Sequence, residues 1–416
     1  LLQGAVKGKA ENRALSKFDR VATGKRWGKP LAVLIILLGL VASFIPAAPI
    51  MALGSMIPML GEPIAAGLSS IGAPQILIDL ICQVVLNTLY FAVSMIGFVF
   101  AINLVFGLIE EVGYMARVSY VFDNTMAKLG LQGKAVMPFL VSFGCTIGGA
   151  AGTRVIDSWG QRVLTIALAW AVPCAATWSI VPLLSTLFFG AWAPVIVVAI
   201  FLVVILHMFI TAKVFGPGLV RQEERSGLIM ELPPYHKPKW GALFRSIFVR
   251  TKDILVRALK VIFIVSLVFW LITYSSTGAQ DQTVLYRFGK FIEPVTMFFG
   301  FTWQTFLAFF SSMISKEAAL GVLSTLYLGT GTIFSTTFGS TAAATGLGGV
   351  LTSALSRPEA LAFIFGVTFN APCLVAISAT YQETRSLKWT MRILLYYVAV
   401  SLLLAFLAFR IGQLIF

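Results

Sequence analysis

The stretch Phe143-Gly144-Cys145-Thr146-Ile147-Gly148-Gly149-Ala150-Ala151-Gly152-Thr153-Arg154 sets a thiol at a glycine-rich break between apolar segments. Glycine lets a backbone leave helical geometry or approach another closely. Within a membrane, irregular backbone is tolerated only where protein covers it or it lines a wet cavity. Two further thiols follow prolines in apolar stretches, in Pro173-Cys174 and Pro372-Cys373. Each proline removes an amide donor and clashes with the carbonyl one turn back. A freed carbonyl beside a thiol is a ligand pair for a borderline metal such as Fe(II), Mn(II) or Zn(II), whereas a hard cation prefers oxygens alone. A kinked helix with a small packing residue is the plain alternative for either Pro-Cys pair alone. Three such thiols together favour ligands.

Lys316 and Glu317 interrupt the apolar stretch 301–328. Ionisable residues at membrane depth are expensive and point to function; a local ion pair at a helix break is the competing reading. Glu110 and Glu111 end an apolar run, either as a solvated face or as a carboxylate at the mouth of a cation path. His207 has Ile210 and Thr211 one turn on, where a second ligand would stand, and reads as packed. His236 lies in a loop and reads as solvated. Met297, Met313 and Cys82 read as packing residues. The chain has no Ser/His/Asp set, HExxH or CxxC, and Gly24-Lys25-Arg26 fails the phosphate-loop pattern. No enzyme activity, catalytic residue or nucleotide site is therefore expected.

The elements that must hold these residues are membrane helices. Of 416 residues, 58% are hydrophobic and 12% charged, with mean hydropathy +0.91. Soluble domains carry about 25% charged residues. Apolar runs at 31–52, 88–109, 162–188, 191–214, 255–276, 358–381 and 389–414 reach the ~20 residues that a spanning helix needs. The net charge of +14 sits between them: eight Lys/Arg against two acids in 1–29, ten against four in 213–260, three against one in 382–392. The positive-inside rule makes these segments cytoplasmic. The lipid bilayer accounts for this basic pattern, so nucleic acid is not expected as a partner. Residues 1–29 lack the short apolar region and cleavage site of a signal peptide. They read as a basic cytoplasmic linker to something upstream. Four cysteines are too few for a disulfide framework. The piece 135–151 is too short to span and reads as a re-entrant element. The stretch 277–356 must cross an even number of times, which a hairpin broken near Met313–Glu317 satisfies.

Ala171-Val172-Pro173-Cys174-Ala175-Ala176 is echoed 199 residues later by Asn370-Ala371-Pro372-Cys373-Leu374-Val375. Glu111 and Glu317 lie 206 residues apart. The charge-based topology sends span 162–188 outward and span 358–381 inward. This is the layout of inverted repeats, which place a substrate site near the midplane between interrupted helices.

These motifs together resemble the membrane part of the ferrous iron transport protein B family, with its two gate regions. Glu110-Glu111-Val112-Gly113-Tyr114-Met115-Ala116-Arg117 is similar to the family's E-D-x-G-Y-M-A-R. Leu129-Gly130-Leu131-Gln132-Gly133-Lys134 is similar to its L-G-L-x-G-[KR], and Phe143-Gly144-Cys145 to the start of its F-G-C-N-V-P. Glu231-Leu232-Pro233-Pro234-Tyr235, Ser315-Lys316-Glu317 and Ala371-Pro372-Cys373 resemble its E-L-P-P-Y, A-K-E and V-P-C. Thr146 stands where the family carries Asn, and Ile147-Gly148 where it carries Val-Pro, which leaves Mn(II) or another ion as an alternative cargo.

The resemblance implies an all-α polytopic membrane helical bundle with two inverted gate repeats and re-entrant or broken helices. Residues 1–29 would be the basic linker, 30–214 the first transmembrane gate repeat, 215–254 a cytoplasmic amphipathic loop and 255–416 the second gate repeat. The implied function is a permease carrying a divalent metal ion, most simply Fe(II), into the cytoplasm across the bacterial inner membrane. Fe(II) would be substrate, with no tightly bound cofactor. A GTPase domain or subunit outside this sequence would be the partner, and a homo-oligomer is compatible with the architecture. Candidate metal ligands are Cys145, Cys174, Cys373, Glu317 and Glu111. Candidate path-lining residues are Thr146, Glu110, Lys316, Asn370 and Met115. The alternatives are a carrier of an organic solute such as a nucleoside, and a membrane scaffold for a GTPase that transports nothing.

Overall fold

Backbone amides and carbonyls at membrane depth have no water to bond, and a helix satisfies them within one segment. The computed structural model describes residues 17–24, 26–220, 235, 237–273, 284–328 and 341–416, and no strand occurs among them. Residues 1–16 of the basic linker, 231–234 of the Glu-Leu-Pro-Pro-Tyr motif, His236, and 277–283 and 329–340 of the stretch 277–356 that bears on the parity argument lie outside the described residues.

The first half runs through α1 (Lys17–Ala22), α2 (Gly28–Ser55), α3 (Gly61–Ser70), α4 (Gln75–Asp79), α5 (Leu86–Glu111) and α6 (Tyr114–Ala127). It continues with α7 (Val136–Gly144), α8 (Thr146–Gly152), α9 (Trp159–Ala169), α10 (Ala175–Phe189) and α11 (Ala193–Leu219). The second half contains α12 (Trp240–Thr273), α13 (Val284–Thr296), α14 (Trp303–Ser311), α15 (Ala318–Leu328), α16 (Thr341–Ala354), α17 (Arg357–Phe369), α18 (Leu374–Thr384) and α19 (Leu387–Ile415). Among the described residues, Gly28–Gly54, Ala175–Leu219, Arg357–Thr384 and Leu387–Ile415 are long and apolar enough to cross a bilayer. Val99–Glu111 and Tyr114–Ala127 form a further candidate bent by 86°. The chain is a multi-pass membrane helical bundle.

The apolar runs 162–188 and 358–381 are each two helices rather than one. α9 stops at Ala169 and α10 starts after Cys174; α17 stops at Phe369 and α18 starts after Cys373. The basic end of 215–254 is helical from Trp240, and α12 carries it directly into the following apolar run. Cys82 lies in a π-helical turn, Leu80–Val85, where its sulfur meets the Gly61 carbonyl at 3.6 Å. Met297 does not pack inside: it is exposed on the turn between α13 and α14, on an apolar outer surface.

Two hairpins of short helices define the interior. In the first, α7 and α8 pack side by side about the break at Gly144-Cys145. Lys134, just before α7, pairs with Asp157, just after α8, at 3.5 Å. The segment therefore enters and returns on one side, as expected for a re-entrant element. In the second, α14 and α15 pack together about a break at residues 312–317. Thr302 at the start of α14 meets the Tyr327 hydroxyl near the end of α15 at 3.5 Å. It too returns to the side it left.

Two apolar cores surround these hairpins, one about α9 with α7 and α8, the other about α17 with α14 and α15. The breaks lie where the cores meet: Phe369 belongs to one core and Ala371 to the other, as do Ile147 and Ala150.

The α7–α8 hairpin is tight because Gly149 has no side chain. A Cβ there would stand 2.9 Å from the Pro138 carbonyl oxygen and collide with the Ser142 hydroxyl. Gly149→Ala is expected to destabilise the protein by about 1–3 kcal/mol, the usual cost of overpacking. Gly241→Ala, where nothing lies within 4 Å of the added carbon, is the control. Thermal unfolding of the detergent-purified protein measures both, and equal melting of the two variants would refute the packing argument.

Candidate functional site

Three cysteines occupy the same kind of position. Cys145, Cys174 and Cys373 each have extended backbone and each directly precede a helix, α8, α10 and α18 respectively. None of the three thiols closes a capping bond to the helix that follows it. The three thiols are half-buried and reduced. They converge: Cys145 lies within electrostatic reach of Cys174 and Glu317, and Cys373 within reach of Cys145, Cys174 and Glu317. Among the described residues, however, no three His, Cys, Asp or Glu side chains stand close enough to hold one metal ion. The thiols and the carboxylate face one region without forming a closed coordination shell.

The second-half breaks interlock through backbone groups that a continuous helix would have used. In a helix Ala371 N–H would bond the Val367 carbonyl; here it bonds Asn370 Oδ1 at 2.8 Å. Leu374 N–H would reach Asn370 O, but donates instead to Ile314 O on the α14–α15 break at 3.2 Å. The Lys316 ammonium takes both carbonyls left behind, donating to Val367 O at 2.8 Å and Asn370 O at 3.2 Å. Lys316 is 4% exposed. Burying an ammonium ion costs several kcal/mol unless hydrogen bonds compensate, and these two carbonyls supply that compensation. Asn370 Nδ2 completes the joint with bonds to Phe309 O at 3.1 Å and Ser312 Oγ at 3.0 Å.

Glu317 is not paired with its neighbour. Among the described residues no ion pair joins it to Lys316. Its carboxylate accepts from Ser315 Oγ at 2.5 Å. It therefore stands beside the thiols with an oxygen uncommitted to a cation.

The first-half break is satisfied differently. Ala171 N–H turns to Leu168 O at 3.0 Å, which frees Ala167 O one turn back. The fully buried Tyr397 hydroxyl on α19 donates to that oxygen at 2.6 Å. A neutral donor thus does in the first repeat what an ammonium does in the second. Only the fold reveals Tyr397, because it lies 230 residues from its partner.

Other candidates lie apart. Glu111 is half-buried and Glu110 exposed at the end of α5. There Gly113, at φ +90°, turns the chain into α6. Arg117 braces that elbow by donating to Gly113 O at 2.9 Å and Asp19 Oδ1 at 3.0 Å, with the Tyr235 ring 4.1 Å away. Met115 is buried in the core around this elbow. Among the described residues, no interaction joins Glu111, Glu110 or Met115 to the thiols. The hairpin tip that corresponds to Glu317 in the first half is Cys145, not Glu111. Thr146 does lie at the centre, buried as the first residue of α8. His207 packs as expected, its ring against Phe369, Tyr396 and Tyr397.

Antiparallel order follows from the same contacts. Trp159 at the start of α9 donates from Nε1 to Thr384 O at the end of α18, 3.0 Å away, while Cys174 and Cys373 at the breaks lie within electrostatic reach of each other. The two Pro-Cys helices therefore run in opposite directions through one centre.

Lys316→Met is expected to leave two buried carbonyls unsatisfied and to destabilise the protein by about 1–3 kcal/mol for each. Tyr397→Phe leaves one and should cost less. Chemical or thermal unfolding in detergent measures both; a higher melting temperature for Lys316→Met would show that burial of the ammonium outweighs its bonds.

Comparison with known proteins bears on this centre. A family model described as "Nucleoside recognition", the gate family, matches residues 92–188 and 255–387. A second, described as "Ferrous iron transport protein B C terminus", matches residues 197–250. The chain is 27% identical over 312 residues to the Fe(2+) transporter FeoB of Staphylococcus aureus strain MSSA476, covering 74% of the chain and 45% of that protein. It is 29% identical over 369 residues to the Fe(2+) transporter FeoB of Methanocaldococcus jannaschii, covering 86% and 52%. A Porphyromonas gingivalis protein named as a fusion of Fe(2+) transport protein A and Fe(2+) transporter FeoB is 24% identical over 447 residues, covering 96% and 52%. The chain spans about half the length of the curated relatives it matches. No solved structure matches it.

Proposed function

This chain belongs to the gate family and is a membrane region of the ferrous iron transport protein B family, and on that premise we propose that it is the permease for Fe(II), moving the ion into the cytoplasm. The observation that carries the reading is the convergence of three thiols and one carboxylate at four helix breaks from two oppositely directed repeats. Thiolate sulfur selects softer and borderline divalent ions over Mg(II) and Ca(II), and the Glu317 carboxylate adds a harder ligand that suits Fe(II). Cys145, Cys174, Cys373 and Glu317 are the proposed ligands, with Thr146 and the carbonyls near Asn370 at the wall of the path. Glu111 and Glu110 are assigned to the α5–α6 elbow outside this centre.

A transporter must bind its ion well enough to strip water and loosely enough to release it. Ligands carried on four separate breaks meet that requirement. The hairpin tips and the Pro-Cys breaks close on the ion together and open again without unfolding a helix. Lys316 stays on its carbonyls and offsets part of the negative charge that the ligands present before the ion arrives. The thiol-rich ligand set favours a metal ion over a nucleoside, which needs aromatic surfaces and hydrogen-bonding groups.

On this reading residues 30–214 and 255–416 are the two repeats, joined by 215–254 and preceded by the basic linker 1–29. The membrane is the bacterial cytoplasmic membrane, and a GTPase domain or subunit drives or gates the permease. The chain itself carries transport rather than catalysis.

Cys145→Ala, Cys174→Ala and Cys373→Ala are each expected to lower uptake of radiolabelled Fe(II) at least about tenfold, the effect of removing a first ligand or its close support. Cys82→Ala should leave uptake unchanged. The assay is cellular uptake at matched expression, followed by reconstituted vesicles offered Fe(II), Mn(II) and Zn(II). Full uptake by all three variants would sink the ligand assignment, and a preference for Mn(II) over Fe(II) would sink the choice of ion.

A further inference from the structure

The helices α8 and α18 join the thiol centre to a second feature that the proposed ligand set does not use. They pack against each other. One begins after Cys145 and the other after Cys373, and those thiols lie within electrostatic reach. At their far ends Arg154 and Glu383 form a forked ion pair. Arg154 Nε donates to Glu383 Oε1 at 2.9 Å and Oε2 at 3.0 Å, and Nη2 donates to Oε1 at 2.5 Å. Start meets start and end meets end, so the helices run parallel. Nine or ten residues separate thiols from ion pair, about 15 Å at the helical rise. The far end is the cytoplasmic end by charge, since Arg385, Lys388 and Arg392 follow within a few residues.

The two partners are unequally placed. The Glu383 side chain is 8% exposed and that of Arg154 is 66% exposed. The carboxylate therefore faces the protein interior and the guanidinium covers it from the water side. An exposed arm that leaves a buried anion enters solvent at little cost to itself. Trp159, bonded to Thr384 O, holds the same corner from α9. The pair joins the two repeats across 229 residues of sequence, at the far end of two helices that each begin at one of these thiols.

We propose that Arg154 and Glu383 form the inner gate of the permease, and that Glu383 is the carboxylate onto which the cation steps when Arg154 swings away. This deepens the permease reading and rests on it. The closed state holds Arg154 on Glu383 and separates the thiols from the cytoplasm. Displacement of Arg154 uncovers an anion about 15 Å beyond the thiols, by the helical rise already used. Carboxylate oxygen is a weaker ligand for a borderline ion than thiolate sulfur, so the ion passes from a retaining site to a releasing one. No bond is made or broken in this step; one cation replaces another on Glu383.

The test reads access to the thiols directly, without iron. The full chain carrying Cys82→Ala is placed in inside-out membrane vesicles and treated with a membrane-impermeant maleimide from the cytoplasmic side. Arg154→Gln and Glu383→Gln are expected to raise the labelling rate of Cys145 and Cys373 at least about tenfold, the shift produced by a modest change in the open population. The double charge exchange Arg154→Glu with Glu383→Arg should return labelling toward the parent rate, which separates a lost gate from a misfolded protein. In Fe(II) uptake, Glu383→Gln is expected to fall well below Arg154→Gln, because only the arginine variant keeps the carboxylate. Unchanged labelling in both single variants overturns the gate, as does a charge exchange that labels as fast as either. Equal uptake by the two single variants overturns the stepping role. Raised labelling in the single variants, together with a parent that moves no Fe(II), supports the gate and overturns the choice of ion.

Discussion

The structure depends on one constraint: a helix broken inside a membrane must have its stranded backbone groups answered by something other than water. At the break before Pro372, the carbonyls of Val367 and Asn370 are answered by the ammonium of Lys316. That bond cannot form unless the tip of the α14–α15 hairpin sits against the break between α17 and α18. Leu374 N–H and the Asn370 amide tie the same two breaks from other directions. The position of Glu317, one residue beyond Lys316, is then decided. It reaches the thiols because its neighbour is anchored, and its carboxylate stays available because the lysine is engaged elsewhere.

The two repeats solve the same problem with different chemistry. Both contain a re-entrant hairpin and a Pro-Cys helix, and both bring a break to the boundary between two apolar cores. The second repeat uses a charged donor on freed carbonyls, the first a tyrosine hydroxyl from α19. The hairpin tips differ too, with a thiol in one and a carboxylate in the other. The two repeats thus bring three thiols and one carboxylate to the breaks near this boundary. The positive charge of Lys316 lies on one side of the centre only.

Helices α8 and α18, which pack together, link that centre to the Arg154–Glu383 pair. Parallel helices transmit a displacement at a break along their axes because their internal hydrogen bonds resist stretching. α8 and α18 are short, and each has a thiol at one end and a member of an ion pair close to the other. Elsewhere, Arg117 ties α1, the elbow at Gly113 and the Tyr235 ring into a separate cluster. The motif that ends α5 is therefore a structural elbow.

Much of this was legible in the sequence. Low charge and seven apolar runs required a membrane bundle. The thiols were visible as chemistry because each stood beside glycine or proline, and the spacing of the two Pro-Cys pairs exposed the repeat. Pairing Glu111 with Glu317 by spacing alone led astray: offsets along a chain do not register α16 and its flanking segment, which lengthen the second repeat between hairpin and Pro-Cys helix. Local residue types determined which helices form and where they break, since backbone hydrogen bonding acts within a few residues. Which stranded carbonyl met which donor, and whether Tyr397 or Arg154 had a partner 229 or 230 residues away, was decided only by tertiary packing. Those contacts arise from the crossing of helices, and no periodicity in the chain encodes it.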